Sequence, residues 1–254
     1  MGDIPESHPR KKSLLARQKL VDAASKGMLA DSALIAHGRG EAFDYLLGEE
    51  TCDSARLAIT ETAYRLLKSE KCVISVNGNT VALAGPQLIA CAAVLNCPIE
   101  VNIYYRTPKR MEVLLSTLIE QQQLAMKLYP QIKNKITDVK ILGGNPDGRI
   151  PNLQGPRAKC HSDGILSADT ILVPLEDGDR CEALIAMGKT VCVIDLNPLS
   201  RTAQMATVTI VDELTRCIPI LLELLMQNSV RSLGWNNREN LENVIQEILR
   251  NFNN

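Results

Sequence analysis

CVISVNGNTVALAGPQLIACAAVLNCPIEVNIYY, residues 72–105, holds a strand, a turn, a helix and a second strand in succession. CVISVN is a short apolar run closed by the turn Asn77-Gly78-Asn79. Gly85-Pro86 opens a helix through Leu95, with proline at the first helical position where its missing N–H is not needed, and IEVNIYY is the next strand. The alternation continues. TPKRMEVLLSTLIEQ reads as a helix, DVKIL and ADTILVPL as strands, CEALIAMG as a helix closed by Gly188, and TVCVID as a strand. TVTIVD and the helical stretch around Ile218 to Leu225 complete the series. Parallel neighbours need crossover connections, so strands alternating with helices predict a doubly wound α/β fold: a mostly parallel sheet with helices on both faces.

Helical additions flank this core. Residues 1–70 form a helical segment expected to pack on the main domain, 71–228 the α/β core, and 229–254 a helical tail. The first helix runs from about Ser13 to Gly27, and its spacing turns Arg17 toward the apolar side, between Leu14 and the pair Leu20 and Val21. In SALIAHGRGEAFDYLLGEE two glycines bracket Arg39, letting the backbone turn or approach a ligand, and Glu41 to Leu47 is a short helix stopped by Gly48. A longer helix follows, capped by Thr51 or Asp53, with Ile59, Ala63, Leu66 and Leu67 on one face. ENLENVIQEILRNF docks its Leu241, Val244, Ile245, Ile248 and Leu249 on the domain or on a second subunit. Residues 143–164, crowded with Gly, Pro, Asn and Asp, predict a loop that either covers a substrate or is a mobile insertion.

Composition excludes several classes. A net charge of -1 gives no long-range attraction for nucleic acid or an anionic membrane. No CxxC occurs among the eight cysteines, several of which lie in apolar runs, so they read as core residues of a reducing compartment. With three histidines and no zinc-finger spacing, a structural metal site is not expected. The N-terminus MGDIPESHPRKKS lacks an apolar h-region, and no run reaches the ~18 apolar residues a spanning helix needs. A soluble cytoplasmic protein is expected.

In a doubly wound sheet, ligands bind beyond the carboxyl ends of the strands, which places ISVNGN, LVPLEDGDR and IDLNPLSR at the site. No GxxxxGK[ST] and no GxSxG is present, and GRGEAF is a poor GxGxxG because it ends in Phe43. What remains is a set of arginines at loops and element ends: Arg17, Arg39, Arg106, Arg149, Arg157, Arg180 and Arg201. The planar guanidinium donates two parallel hydrogen bonds and suits phosphate. Asp177, Asp179 and Asp195 can hold Mg²⁺ or accept hydrogen bonds from a ribose, although EDGDR taken alone also fits a solvated turn capping the next helix.

Together, IPESHPRKKSLLARQKL, ALIAHGRGEAFDYLLGE, ISVNGN, VPLEDGDR and IDLNPLSRTAQMA, in this order up to about Asp212, resemble the archaeal phosphopantothenate synthetases, the 4-phosphopantoate:β-alanine ligases. The resemblance implies a Rossmann-like homodimer of coenzyme A biosynthesis that joins 4-phosphopantoate to β-alanine with ATP and Mg²⁺, through an acyl adenylate, releasing AMP and diphosphate. It further implies ATP contacts from Arg17, Arg39, Asp177, Gly178, Asp179, Arg180, Asp195, Leu196, Asn197, Ser200 and Arg201. Asn77, Asn79, Arg106, Arg149 and Arg157 would lie near the phosphopantoate, with Asp179 a candidate for the metal. Two other readings stay open on the residues: another ATP-dependent ligase or kinase acting on a phosphorylated acid, and a nucleotide sensor without turnover.

Overall fold

The computed structural model describes residues 4–253. Three helices come first: α1 (Lys11–Ser25), α2 (Asp31–Leu46) and α3 (Asp53–Lys68). The alternating part follows as β1 (Cys72–Val76), α4 (Gly78–Leu95), β2 (Ile99–Val101), α5 (Pro108–Leu128), α6 (Lys133–Thr137) and β3 (Ile141–Leu142). It continues as β4 (Thr170–Pro174), α7 (Gly178–Ala186), β5 (Thr190–Ile194), α8 (Arg201–Met205), β6 (Val208–Ile210), α9 (Leu214–Gln227) and α10 (Asn237–Asn253).

These strands form one parallel sheet in the order 3-2-1-4-5-6. The expected α/β architecture is present, with helical additions at both ends. Because successive side chains of a strand point to opposite faces, the sheet feeds two cores. Ile74, Ile99, Leu172, Cys192 and Ile210 face the layer of α1, α3, α4, α5 and α9. Val73, Ile171, Val173, Val191 and Val193 face α7 and residues 150–165. Strand order reverses between β1 and β4, so the chain leaves these two neighbours toward opposite faces and opens a crevice at their carboxyl ends.

Helix α4 starts earlier than Gly85. Asn77 caps it, its side chain accepting from the Thr80 amide at 3.1 Å, and the chain then breaks at Ala84 (φ -142°, ψ 21°) just before Pro86, which has no N–H to donate. The Gln121 amide from α5 takes up the Val81 carbonyl at 2.9 Å near that break. By length and composition alone α4 is apolar enough to cross a membrane, but 67% of it is buried inside the fold, which accounts for its apolarity.

The 143–164 segment differs from the expected loop. Gly148–Arg149 pairs antiparallel with Lys159–Cys160, and Ile150, Leu153, Ala158 and Ile165 are buried against the sheet, each large aliphatic contributing about 1.5–3 kcal/mol. Strand β2 and its exit anchor it: Glu100 accepts from the amides of His161 (2.9 Å) and Ile165 (2.8 Å), and the Asn102 amide donates to the carbonyls of Arg157 (3.1 Å) and Lys159 (3.0 Å). The segment is a layer packed on the sheet and not a mobile insertion.

The N-terminal helices bring three corrections. In α1 the buried stripe is Ala16, Leu20 and Ala23, so Arg17 falls beside it; its side chain is 44% exposed and its Nε donates to Glu41 of α2 at 2.7 Å. Helix α2 runs unbroken through Gly38-Arg39-Gly40, because glycine tolerates helical geometry and Gly40 lets the helix close on Leu196: a Cβ there would lie 3.3 Å from Leu196 Cδ1. Helix α3 is capped by neither Thr51 nor Asp53. Cys52 holds the cap position, and Glu247 of α10 accepts from the Ser54 amide at 3.1 Å. Helix α10 docks on its own chain, Leu241 and Val244 packing with Leu47, Ala203 and Val211. All eight cysteines are free thiols, seven of them buried.

Candidate functional site

A cleft of about 560 Å³ opens where the loops after β4 and β5 meet α2. Its walls are His37, Arg39, Gly40 and Phe43 from α2; Leu175, Glu176, Asp177 and Gly178 after β4; and Asp195, Leu196, Asn197, Ser200, Arg201 and Thr202 after β5. A smaller cavity of about 170 Å³ adjoins it, lined by Asn77, Gly78, Ile103, Tyr104, Tyr105, Arg110 and Arg157. Ala36, Asn79, Leu175 and Asp177 line both, so the two volumes meet at the switch point between β1 and β4.

Local hydrogen bonding sets each wall. The Asn77 side chain donates to the Leu175 carbonyl at 2.9 Å, tying the β1 exit to the β4 exit, and Asn79 donates to the Ala33 carbonyl of α2 at 3.2 Å. Asp195 accepts from the Asn197 amide (2.9 Å) and the Ser200 hydroxyl (2.5 Å), while Ser200 caps α8 by accepting from the Ala203 amide at 2.9 Å. Burial pushes the Asp195 carboxyl above the ordinary aspartate range, with those two donors opposing it. At Gly178, the first residue of α7, a Cβ would lie 2.7 Å from the Arg201 side chain, so only glycine lets these loops close at this spacing. Helix α7 starts at the cleft wall with Gly178, which turns the positive end of its dipole toward the cleft.

The arginines divide. Arg39 and Arg201 line the main cleft and Arg157 the side cavity. Arg201 pairs with Glu182, and Arg157 with Glu176 and Asp177. Arg180 is 1% exposed and lies under the floor, paired with Glu176 and donating to Ser75 Oγ at 3.1 Å, so it braces the loop from below instead of lining it. Arg17 is outside both linings, yet it holds Glu41 one helical turn after His37. Burial lowers the His37 imidazole below its ordinary value, Glu41 opposing and Arg17 reinforcing the shift.

Arg106 donates to the carbonyls of Gly143 and Val101, and Arg149 to that of Leu153; neither lines either of these two cavities. Asp179 is exposed and accepts from the Arg180 amide at 2.8 Å. Sequence reasoning missed Arg110, His37 and Glu176 as wall residues. For Arg110 the signal was present: it sits in the first turn of the helix after β2, the same strand-exit position that marked the other loops.

Residues 54–254 match the family model described as phosphopantothenate/pantothenate synthetase. The chain is 45% identical over 247 residues to the 4-phosphopantoate:β-alanine ligase of Thermococcus kodakarensis, covering 97% of this chain and 87% of that one. It is 44% identical over 256 residues to the ligase of the same name from Thermococcus onnurineus (98% and 93% covered), and 46% over 218 residues to that of Methanosarcina mazei (86% and 80%). The likeness extends past Asp212, where the recognisable motifs end, into α10. On these grounds the chain belongs to the phosphopantothenate/pantothenate synthetase family.

Proposed function

We propose that this protein condenses 4-phosphopantoate with β-alanine, consuming ATP and releasing AMP and diphosphate. Near full-length relatives carrying that ligase name support the substrates. The observation that carries the mechanism is the pair of joined cavities at the switch point, which suits two anionic reactants meeting at a shared wall. ATP takes the larger cleft. Arg39, Arg201 and the start of α7 at Gly178 face its phosphates; Asp195, Leu196, Asn197 and Ser200 face its nucleoside. The acid takes the side cavity, near Asn77, Asn79 and Arg157.

A carboxylate is a poor acyl donor. Its oxygen attacks the α-phosphorus of ATP, diphosphate leaves, and the amine of β-alanine then displaces AMP from the acyl carbon with loss of one proton. Both steps concentrate negative charge, so the protein's part is positioning and electrostatic stabilisation, with no side-chain nucleophile. Arg180 and Arg17 act through Glu176 and Glu41, holding the β4 loop and α2 in place.

Among the described residues no three His, Cys, Asp or Glu side chains converge as a cation cage. Asp177 at the cleft fits the one or two carboxylates that a nucleotide-borne Mg²⁺ takes, and Asp179 remains an outer candidate. When bound, Mg²⁺ offsets charge on the triphosphate. We place the enzyme in the cytoplasm as a homodimer; free buried thiols and the exposed Ile35, Tyr45 and Leu46 of α2 support this reading.

Because burial raises the Asp195 carboxyl, that group is protonated, and its charge lost, at a higher pH than an ordinary aspartate. kcat/KM for ATP is therefore expected to fall on the acid side above the usual aspartate range, and Asp195→Asn to remove that limb. An unchanged acid limb in the variant would take Asp195 out of the role. The ligase reading itself is tested by incubating the protein with ATP, Mg²⁺, 4-phosphopantoate and β-alanine and identifying every nucleotide product. AMP plus diphosphate, dependent on both acids, is expected; ADP would refute adenylation.

A further inference from the structure

We infer that Arg110 reads the phosphate of the acid substrate and is the residue that makes the site prefer a phosphorylated acid over its unphosphorylated form. This rests on the ligase reading above. Arg157 and Arg201, at the same two cavities, are each paired with a carboxylate. Arg110 is not: among the described residues no acid lies within ion-pair distance of it. Its guanidinium is half buried, which lowers its pKa through desolvation with no carboxylate to compensate. A partly desolvated cation in a concave wall with no counter-ion favours an anion.

The fork is also held in one orientation. Nε donates to the Met28 carbonyl at 3.0 Å and Nη1 to the Tyr105 carbonyl at 3.2 Å, so the aim of the group does not depend on a bound ligand. Nη2 lies against the opening turn of α4. A Cβ built on Gly78 would lie 2.5 Å from the Met28 carbonyl, so glycine is required where the helix start meets the carbonyl that holds Nε, and it would lie 3.4 Å from Nη2, which places the guanidinium in contact range of that turn. Guanidinium and helix dipole thus act on the same corner of the side cavity, at which a terminal phosphate is bound by both. The substrate carboxylate then extends toward Asn79, Leu175 and Asp177, the wall shared with the nucleotide cleft. A site built around such a charge binds an analogue lacking the phosphate poorly, because the cation is left unpaired.

The test compares wild type, Arg110→Gln and Arg110→Lys. For each, kcat and KM are measured with 4-phosphopantoate and with pantoate, with KM for ATP as an internal control, and 4-phosphopantoate binding is measured by calorimetry without turnover. Arg110→Gln is expected to raise KM and Kd for 4-phosphopantoate on the order of 10- to 100-fold, leave KM for ATP unchanged, and lower the preference for 4-phosphopantoate by a similar factor. Lysine keeps the charge without the fork and recovers part of the loss. If the preference stays at the wild-type value while overall activity falls, Arg110 only supports the Met28 turn and the inference is overturned. Unchanged Kd overturns it equally. Failure of the ligase reading looks different: wild type itself would then form no AMP with 4-phosphopantoate and β-alanine.

Discussion

Replacing Arg39 by alanine is expected to lower kcat/KM for ATP by one to two decades while leaving the melting temperature nearly unchanged. Arg39 is exposed on α2, lines the main cleft and has no ion-pair partner among the described residues. Removing it therefore orphans no buried acid, and alanine is at least as good a helix former. A hydrogen bond to a charged group is worth about 1.5–3 kcal/mol, which corresponds to that loss in rate. Steady-state kinetics and a thermal melt on the same preparation check both halves. Wild-type activity in the variant would remove Arg39 from the site.

The second large effect is on stability. Arg216 of α9 joins two buried carboxylates: its Nη1 lies 3.1 Å from Asp44 of α2, and its Nε 3.0 Å from Asp212 at the end of β6. The Asp44 and Asp212 side chains are 2% and 0% exposed, and Asp212 also accepts from Thr51 at 2.7 Å. The clamp seats α2, and with it Arg39, His37 and Phe43, over the sheet. Arg216→Ala leaves both acids without their cation, at a cost of about 3–5 kcal/mol. For a chain of this size that is a fall in Tm on the order of 10 °C.

The pH dependence distinguishes this cause from lost packing. Burial already holds the Asp212 carboxyl above its ordinary range, against the pull of Arg216 and Thr51, and without Arg216 it rises further. A carboxyl whose folded pKa is raised binds its proton more tightly in the folded state. Stability is then greatest below the unfolded pKa and declines as pH rises toward the folded one. The deficit of the variant should therefore be smaller near about pH 4.5 than near about pH 7. A deficit that does not change with pH would contradict the clamp.

Much of this architecture is legible in the chain because its signals are local. The β-branched runs TVCVI and CVISV and the glycine and proline stops mark elements by composition, and parallel pairing follows from their alternation with helices. The order 3-2-1-4-5-6 is not legible, since it depends on which distant strands pair. The strand-exit loops EDGDR and DLNPLSR do face the cleft, but the individual guanidinia could not be sorted by residue type alone. Arg180 and Arg39 look alike in sequence; what separates them is Glu176, one helical turn before Arg180, which draws that side chain under the floor.

Gly38 and Gly40 read as breakers, and only packing against Leu196 makes the second a helical contact point. Ile150, Leu153 and Ile165 are too sparsely spaced among glycines and prolines to announce that residues 143–164 cover one face of the sheet.

A crystal structure of the protein soaked with a non-hydrolysable ATP analogue and 4-phosphopantoate measures the arrangement directly. The triphosphate is expected between Arg39 and the first turn of α7, with the acid's carboxylate reaching the α-phosphate across Asn79 and Leu175. Nucleotide bound elsewhere, or a carboxylate directed away from the α-phosphorus, would contradict it.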